Sequence, residues 1–391
     1  MVRMTLSAAA QPAACPDALA TLAAIPADAW RALQQRAVEP NGYWLADWET
    51  AVNAHASGRT EVDALSAWSA PDGMAAPELI GLLPVIPFRR AFLWPLPALV
   101  SADPYGTLTT PLLDRDRAVA AVTALLQQAR DAGARVLLLR DVSLEGAAMN
   151  AIRAALAAQG LVPRVLQSHQ RACLDATRDA DDLLRDALGA KKLKDLRRQR
   201  NRLAEQGEVS FHVARTPDEI DAALDVFLAL EASGWKGKRG TALADDAGDA
   251  AFIRAACRGL AVQRQCEIVT LRAGAVPVAA GVLLRHLDRA FFFKLGVDER
   301  FAKASPGVQL TLDVTRHLCA DPAIASADST AAPGHPMIDP IWRGRLAIGD
   351  VLIPLHRRDP TGLAIRATLA ARNAVRAPLR HALQALRARK G

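Results

Sequence analysis

The chain has 391 residues, of which 51% are hydrophobic, 23% charged and 5% aromatic. That length and balance exclude a disordered chain and favour two domains with cores of Ala, Leu and Val. A net charge of +7 and an isoelectric point near 9.5 point to anionic partners such as nucleotides, acyl carriers, nucleic acid or an acidic membrane, unless they reflect a general arginine bias.

Residues 1–25 read as a loose Ala/Pro tail without the apolar run of a signal peptide. Helices are predicted over Pro26–Ala37, at the end of Asn41–Val52, and over Arg115–Ala132 and Glu145–Gln159. Strands are predicted over Val62–Trp68, Leu79–Pro87, Ala134–Val142 and Arg164–Asp175, while the Pro-punctuated Trp94–Leu113 reads as irregular. A long helix follows from Leu184. From Lys191 to Arg202 it carries seven basic residues and one acid, with Leu193, Leu196 and Leu203 as a narrow apolar stripe. This reads as a solvated helix bracing two domains. With no aromatic residue interleaved for base stacking, nucleic acid as the main ligand is disfavoured.

The second half begins with strand Val209–Ala214, helix Pro217–Glu231, a Gly-rich loop and helix Asp249–Arg264. Strands Glu267–Arg272, Pro277–His286 and Arg289–Val297 come next, then helix Pro306–Cys319 and strands at Ala325–Ser329 and Arg345–Leu355. The tail from Thr361 is an amphipathic helix pattern with seven basic residues and no acid. It is expected to pack on the second domain, with contact to an anionic membrane face as the alternative. The resulting division is a tail at 1–25, domains at 26–180 and 208–358, a basic linking helix at 181–207 and a basic C-terminal helix at 359–391.

Cys15, Cys173, Cys257, Cys266 and Cys319 are scattered without a CxxC pair, so neither a disulfide framework nor a metal site is expected. No stretch approaches about 18 uncharged apolar residues, which predicts no membrane span and a cytoplasmic protein.

The chemistry concentrates in "KLGVDERFAKASPGVQL", Lys294–Leu310. Pro306 suits the first position of a helix, and Ser305 stands where an N-cap belongs. No Glu or Gln follows three residues later to occupy the free amides. Such a helix mouth, with Ser305, Gly307 and Val308 at its rim and Arg300 and Lys303 in the preceding loop, suits an anion such as a cofactor pyrophosphate. It also suits an ordinary helix start. Lys294 and Asp298 fall on one face of the strand and read either as site residues or as a salt bridge. Trp235 and Lys236, in a Gly-flanked loop, either wall an acceptor pocket or cap the core. Glu231, Asp298, Asp328 and His335 are the candidate general bases. No hydrolase triad is evident.

The order β-α-α-β-β-β-α-β-β, with the anion-type helix after the fourth strand, resembles the GNAT acyltransferases. "LEASGWKGKRGTAL", "FFFKLGVDERFAKASPGVQL", "ADST" and "PIW" resemble in particular the CelD-like branch, which is named for a cellulose-biosynthesis locus and is related to the FemAB tandem-GNAT transferases. The Gln/Arg-x-x-Gly-x-Gly/Ala loop usual in GNAT proteins is replaced here by "AKASPGVQL". The resemblance implies an α/β (α+β) fold of two tandem GNAT domains with mixed, mostly antiparallel sheets. It also implies acyl-CoA as the donor, without a metal, and an amine acceptor on a small molecule, a sugar or a polysaccharide or envelope precursor. Two alternatives stay open: a FemAB-like transferase using aminoacyl-tRNA, and a non-catalytic GNAT-fold scaffold in exopolysaccharide assembly.

Overall fold

The computed structural model describes residues 19–70, 76–234, 240–372 and 374. Its spine is one 13-stranded sheet. The N-terminal half contributes β1 (Ala20–Thr21), β2 (Asp63–Trp68), β3 (Leu79–Pro87), β4 (Ala98–Ser101), β5 (Leu112–Leu113), β6 (Val136–Ser143) and β7 (Arg164–Asp175). Its helices are α1 (Ala27–Gln35), α2 (Ala46–His55), α3 (Phe88–Phe92), α4 (Ala118–Asp131) and α5 (Ala147–Ala157). After α6 (Ala180–Ala204) the C-terminal half runs β8 (Val209–Ala214), α7 (Pro217–Ser233), α8 (Ala247–Val262), β9 (Cys266–Ala273), β10 (Val276–His286), β11 (Arg289–Val297), α9 (Pro306–Cys319), β12 (Ser326–Asp328) and β13 (Gly344–Pro354).

Two halves of the same plan meet in the middle of this sheet. The strand order is β1-β2-β3-β4-β6-β13-β7-β12-β11-β10-β9-β8, with β5 beside β3. Each half has successive antiparallel strands and then one parallel step, β4 to β6 and β11 to β12. A parallel step needs a crossover, and α4 and α9 supply the two. The central strands are exchanged. The late strand β13 pairs with β6 of the N-terminal half, β7 pairs with β12 of the C-terminal half, and β7 and β13 pair with each other.

The halves also share a core. Tyr43, Leu45 and Trp48 of the first half are buried with Phe227, Phe252 and Phe291 of the second. Their rings meet edge-on, with Trp48 and Phe252 centroids 5.0 Å apart, the arrangement that ring quadrupoles favour. Among the described residues the four cysteines are unpaired, and no helix is long and apolar enough to cross a membrane.

Four expectations need correction. The long helix from Leu184 is broken at Gly189, whose left-handed backbone (φ 72°) only glycine adopts cheaply. Its basic part does not brace the two halves. Leu196 and Leu203 are buried beside α9, Arg200 pairs with Asp313 (2.8 Å), and the segment lies along the turn Glu299–Ala304. The helical tail over residues 361–372 seats Ile365 on Phe88, Val100, Leu138 and Leu352, on the sheet of the first half and not on the second. The exchange of β13 explains this, because the chain leaves that strand already inside the N-terminal half. Trp94–Leu113 also holds β4 and β5, strands too short for periodicity to reveal.

His286 at the end of β10 ties the halves together. The Asn41 N–H donates to Nδ1 (2.8 Å), so Nε2 carries the proton and donates to the Gln34 carbonyl (2.8 Å). Burial pushes this imidazole down to about 4 from 6.5. A depressed histidine favours the unfolded chain as acid is added, so stability is full above pH 6.5 and falls as pH drops towards 4. The loss predicted across that window is roughly 3 kcal/mol. Denaturant melts at a series of pH values should show it, and His286→Gln should flatten this part of the profile.

Candidate functional site

The two crossovers differ in what lies at their mouths. In the N-terminal half the space between the ends of β4 and β6 is filled by the chain itself. Thr109 donates its N–H to the Asp141 carbonyl (3.1 Å) and its hydroxyl to the Arg140 carbonyl. The Thr110 hydroxyl accepts from Ser143 N–H (3.0 Å), while Asn41 donates to the carbonyls of Leu108 (3.3 Å) and Thr110 (2.8 Å). The start of α4 is taken by the buried Asp114 carboxylate, bound to Arg36 (2.9 Å), Arg117 (3.3 Å) and the Asp116 N–H (3.0 Å). In this half the segment Thr109–Thr110 bonds along the end of β6, and a buried carboxylate precedes the helix.

The C-terminal half is open at the same place. β11 and β12 pair over only three residues, Arg289 to Phe291 against Ser326 to Asp328, and then separate. Between them lies a cavity of about 520 Å³, lined on the β11 side by Phe292, Phe293, Lys294, Leu295 and Val297. The opposite wall is Ser329, Thr330, Ala331, His335 and Met337, and the floor of the mouth is Ser305 to Val308. That size falls within the usual range for small-molecule sites.

A β-bulge aims the strand. Val282 faces Lys294 but Leu283 faces Phe292, so Phe293 is the extra, unpaired residue. Beyond it the alternation flips. Phe291, Phe293, Lys294 and Gly296 therefore face α7, while Phe292, Leu295 and Val297 face α9. Lys294 Nζ lies 3.5 Å from buried Glu231, whose other oxygen accepts the Leu243 N–H (3.0 Å).

At the mouth, Ser305 is in the N-cap position but adopts a left-handed conformation (φ 51°), with no side-chain cap hydrogen bond. The first bond across the turn is Gln309 N–H to the Ser305 carbonyl (3.0 Å), so the Gly307 and Val308 amides precede the helical ladder. A Cβ on Gly307 would stand 3.0 Å from Leu295 and Met337, so glycine lets the helix close against the strand. Thr330 is a second non-glycine residue held at positive φ (52°), and its hydroxyl donates to the Phe292 carbonyl (2.6 Å) where β12 turns away. Strain at two positions lining one cavity is a mark of functional sites.

The structure brings Lys294, Ser305, Gly307, Val308 and His335 together around this cavity. It does not bring Asp298 and Arg300 in. Asp298 accepts from the Arg300 guanidinium (2.7 and 3.0 Å) and backbone N–H (3.0 Å), and this pairing holds its carboxyl below the usual range. The alternative Lys294–Asp298 salt bridge is therefore not made. Lys303 is exposed on the preceding turn, and Trp235 and Lys236 lie outside the described residues. Among residues not singled out from sequence, Thr330 and Met337 form the far wall. "ADST" was a legible string, but its strain was not.

Asp328 is wholly buried behind the cavity. One oxygen pairs with Arg171, equally buried on β7, and the other accepts the Thr330 N–H (2.8 Å). Arg171 also donates to the Thr107 carbonyl (2.7 Å) and hydroxyl (2.8 Å), tying the segment that fills the first half to the rim of the second. Loss of one partner strands a buried charge at a cost of about 3–5 kcal/mol, while replacing both with apolar residues costs far less. Asp328→Ala is expected to lose that much in urea melts, and Arg171→Met with Asp328→Leu to recover most of it. A single-variant loss below about 1 kcal/mol would contradict this reading.

In sequence, residues 190–332 match the family model described as acetyltransferase (GNAT) domain. No curated protein matches the chain. Among solved structures, FemX aligns over 84% of this chain and 96% of its own, at 10% identity and a TM-score of 0.55. The C-terminal DUF2156 domain assigned to a lysylphosphatidylglycerol synthetase of Agrobacterium fabrum aligns over 88% and 95%, at 15% identity and 0.53. A conserved protein of unknown function from Bacteroides thetaiotaomicron aligns over 84% and 96%, at 12% identity and 0.52. At these identities the likeness is one of fold, and it extends over both halves of the chain. The fold is thus mixed α/β, and residues 190–332 are a GNAT-type N-acyltransferase domain.

Proposed function

We propose that the chain transfers an acyl group from acyl-CoA directly to an amine, using only the C-terminal cavity. The observation that carries this is the open separation of β11 from β12 above an uncapped helix mouth, set against the filled equivalent in the first half. The donor would supply an activated thioester carbonyl. The Gly307 and Val308 amides and the helix dipole favour its pyrophosphate, and the apolar wall of Phe292, Leu295 and Met337 suits an extended thiol arm. The exposed cations of α6, Lys191, Lys194 and Arg197, lie along the turn beside the mouth and raise the local concentration of anionic donor.

Lys294 and Glu231, on the α7 side of the strand, form the acceptor side in this proposal. The acceptor amine belongs to a small molecule, a sugar or an envelope or polysaccharide precursor, in line with the CelD-like wording of the sequence. Attack must release one proton from the amine. Of the described residues lining the cavity, His335 carries the one imidazole, and Lys294 sits beside a carboxylate. His335 is therefore assigned as the base that accepts the proton released from the amine nitrogen as the N–C bond forms and the CoA thiolate leaves, and Asp328 as the residue that positions the wall.

Titration calorimetry with CoA and acetyl-CoA tests the donor. Wild type should bind one equivalent, and both Gly307→Glu and Val308→Asp should lose binding while keeping their circular dichroism. Failure of wild type to bind these or longer acyl-CoAs would overturn the reading. With a donor in hand, His335→Ala should lower kcat/KM by about 100-fold or more with donor affinity unchanged.

The basic face of α6 favours a second reading, the FemAB-like one, in which the donor is an aminoacyl-tRNA. Lys194→Glu with Arg197→Glu separates the two. Under the CoA reading donor binding weakens only a few-fold and remains specific. Under the tRNA reading CoA does not bind, and RNA binding falls steeply with salt and with these changes.

A further inference from the structure

We propose that the face of the N-terminal half around the tail helix docks on an anionic lipid surface, independently of the transfer site. Two grooves, of about 740 and 720 Å³, run along either side of the helix over residues 361–372. Leu363 and Arg366 line both of them, Phe92 lines the first, and Val162 and Arg164 line the second. The Arg372 guanidinium stands 4.8 Å over the Phe92 ring, which places the loop after α3 against the helix.

That loop reads "FLWPLP", Phe92 to Pro97, six residues without a charge. Leu93 is 89% exposed and Trp94 59%, and they stand with Val162 at 70% and Leu363 at 64%. Single exposed apolar residues are ordinary, but here Leu363 on the helix and Val162 beside it are joined by Leu93 and Trp94, which follow the groove-lining Phe92. Leu93 is moreover held in a left-handed conformation (φ 65°) that a branched side chain adopts only when the fold imposes it.

The rim gives the sign of the partner. Arg164, Arg357, Arg358 and Arg366 are exposed around the grooves. The carboxylates there are engaged: Asp350 accepts from the Asp141 N–H (2.9 Å) and Gln167 (2.8 Å), and Asp359 from Thr361 N–H (2.8 Å) and Arg135 (3.4 Å). The sequence from Thr361 onward adds cations and no acid. An exposed tryptophan among leucines, ringed by arginines, suits the interface of an anionic bilayer, where apolar side chains enter the headgroup boundary and cations are drawn to the charged surface. A protein partner would match the apolar residues but does not call for so one-sided a charge.

The experiment is co-sedimentation of the full chain with vesicles of equal parts phosphatidylglycerol and phosphatidylcholine, against phosphatidylcholine alone. Wild type should partition onto the anionic vesicles, and its tryptophan emission should be quenched by brominated lipid. Leu93→Asp with Trp94→Asp, and separately Arg366→Glu with Arg164→Glu, should each weaken partition about ten-fold or more without lowering the Tm. Trp94→Phe should keep most of the binding and lose the quenching. Wild type left in the supernatant would overturn the proposal, as would binding unchanged in both pairs of variants. Self-association that Leu93→Asp with Trp94→Asp abolishes, without vesicle binding, would assign the face to a second copy instead.

Discussion

Arg171 and Asp328 form an ion pair taken wholly out of water, and the geometry of the open cavity follows from it. Two such charges are tolerated in a protein interior only with further hydrogen bonds to satisfy them. Thr107 supplies two of these to one terminal nitrogen of the guanidinium, whose Nε is buried without a partner, and the Thr330 N–H supplies one to the carboxylate. The consequence is geometric. With Asp328 fixed to β7, β12 cannot follow β11 outward, and the chain turns through a left-handed Thr330 away from it. β11 is left with an open edge, and that edge is one wall of the site. The pair joins a strand of the first half to a strand of the second, so the seam that holds the halves together also holds the cavity apart.

The same plan therefore yields two different outcomes in one chain. In the first half the segment from Thr107 to Leu113 satisfies the edges that β4 and β6 would otherwise expose, and Asp114 meets the start of α4. That carboxylate is internal and held by two arginines just before the helix. In the second half nothing among the described residues takes those places. The first half has instead become structural: it donates β7 to the sheet, Tyr43 and Trp48 to the shared core, and Asn41 and Gln34 to His286. The exchange of β7 and β13 makes each half incomplete without the other.

The elements that periodicity marks were legible. Leu79–Pro87, Arg164–Asp175, Arg289–Val297 and Pro306–Cys319 stand where alternation, β-branched runs and the Ser-Pro-Gly start place them. The helix mouth was legible because its signals are local. What escaped depends on distant partners. The Phe293 bulge exists only relative to β10, and it decides that Lys294 meets Glu231 and not Asp298. Asp328 read as a base because a lone carboxylate at a strand end carries no mark of the arginine 157 positions earlier in the chain. The filling of the first half uses short Thr and Ser contacts that look like a loop in sequence, and β13 gives no sign of crossing over.

The central claim is that one half of the molecule keeps the ligand site and the other has filled it. A crystal structure of the protein with a non-hydrolysable acyl-CoA analogue tests this most directly. The account predicts a single bound molecule, its thiol arm between β11 and β12 and its pyrophosphate at the Gly307 and Val308 amides. Density between β4 and β6, or along α6 with the cavity empty, would contradict it.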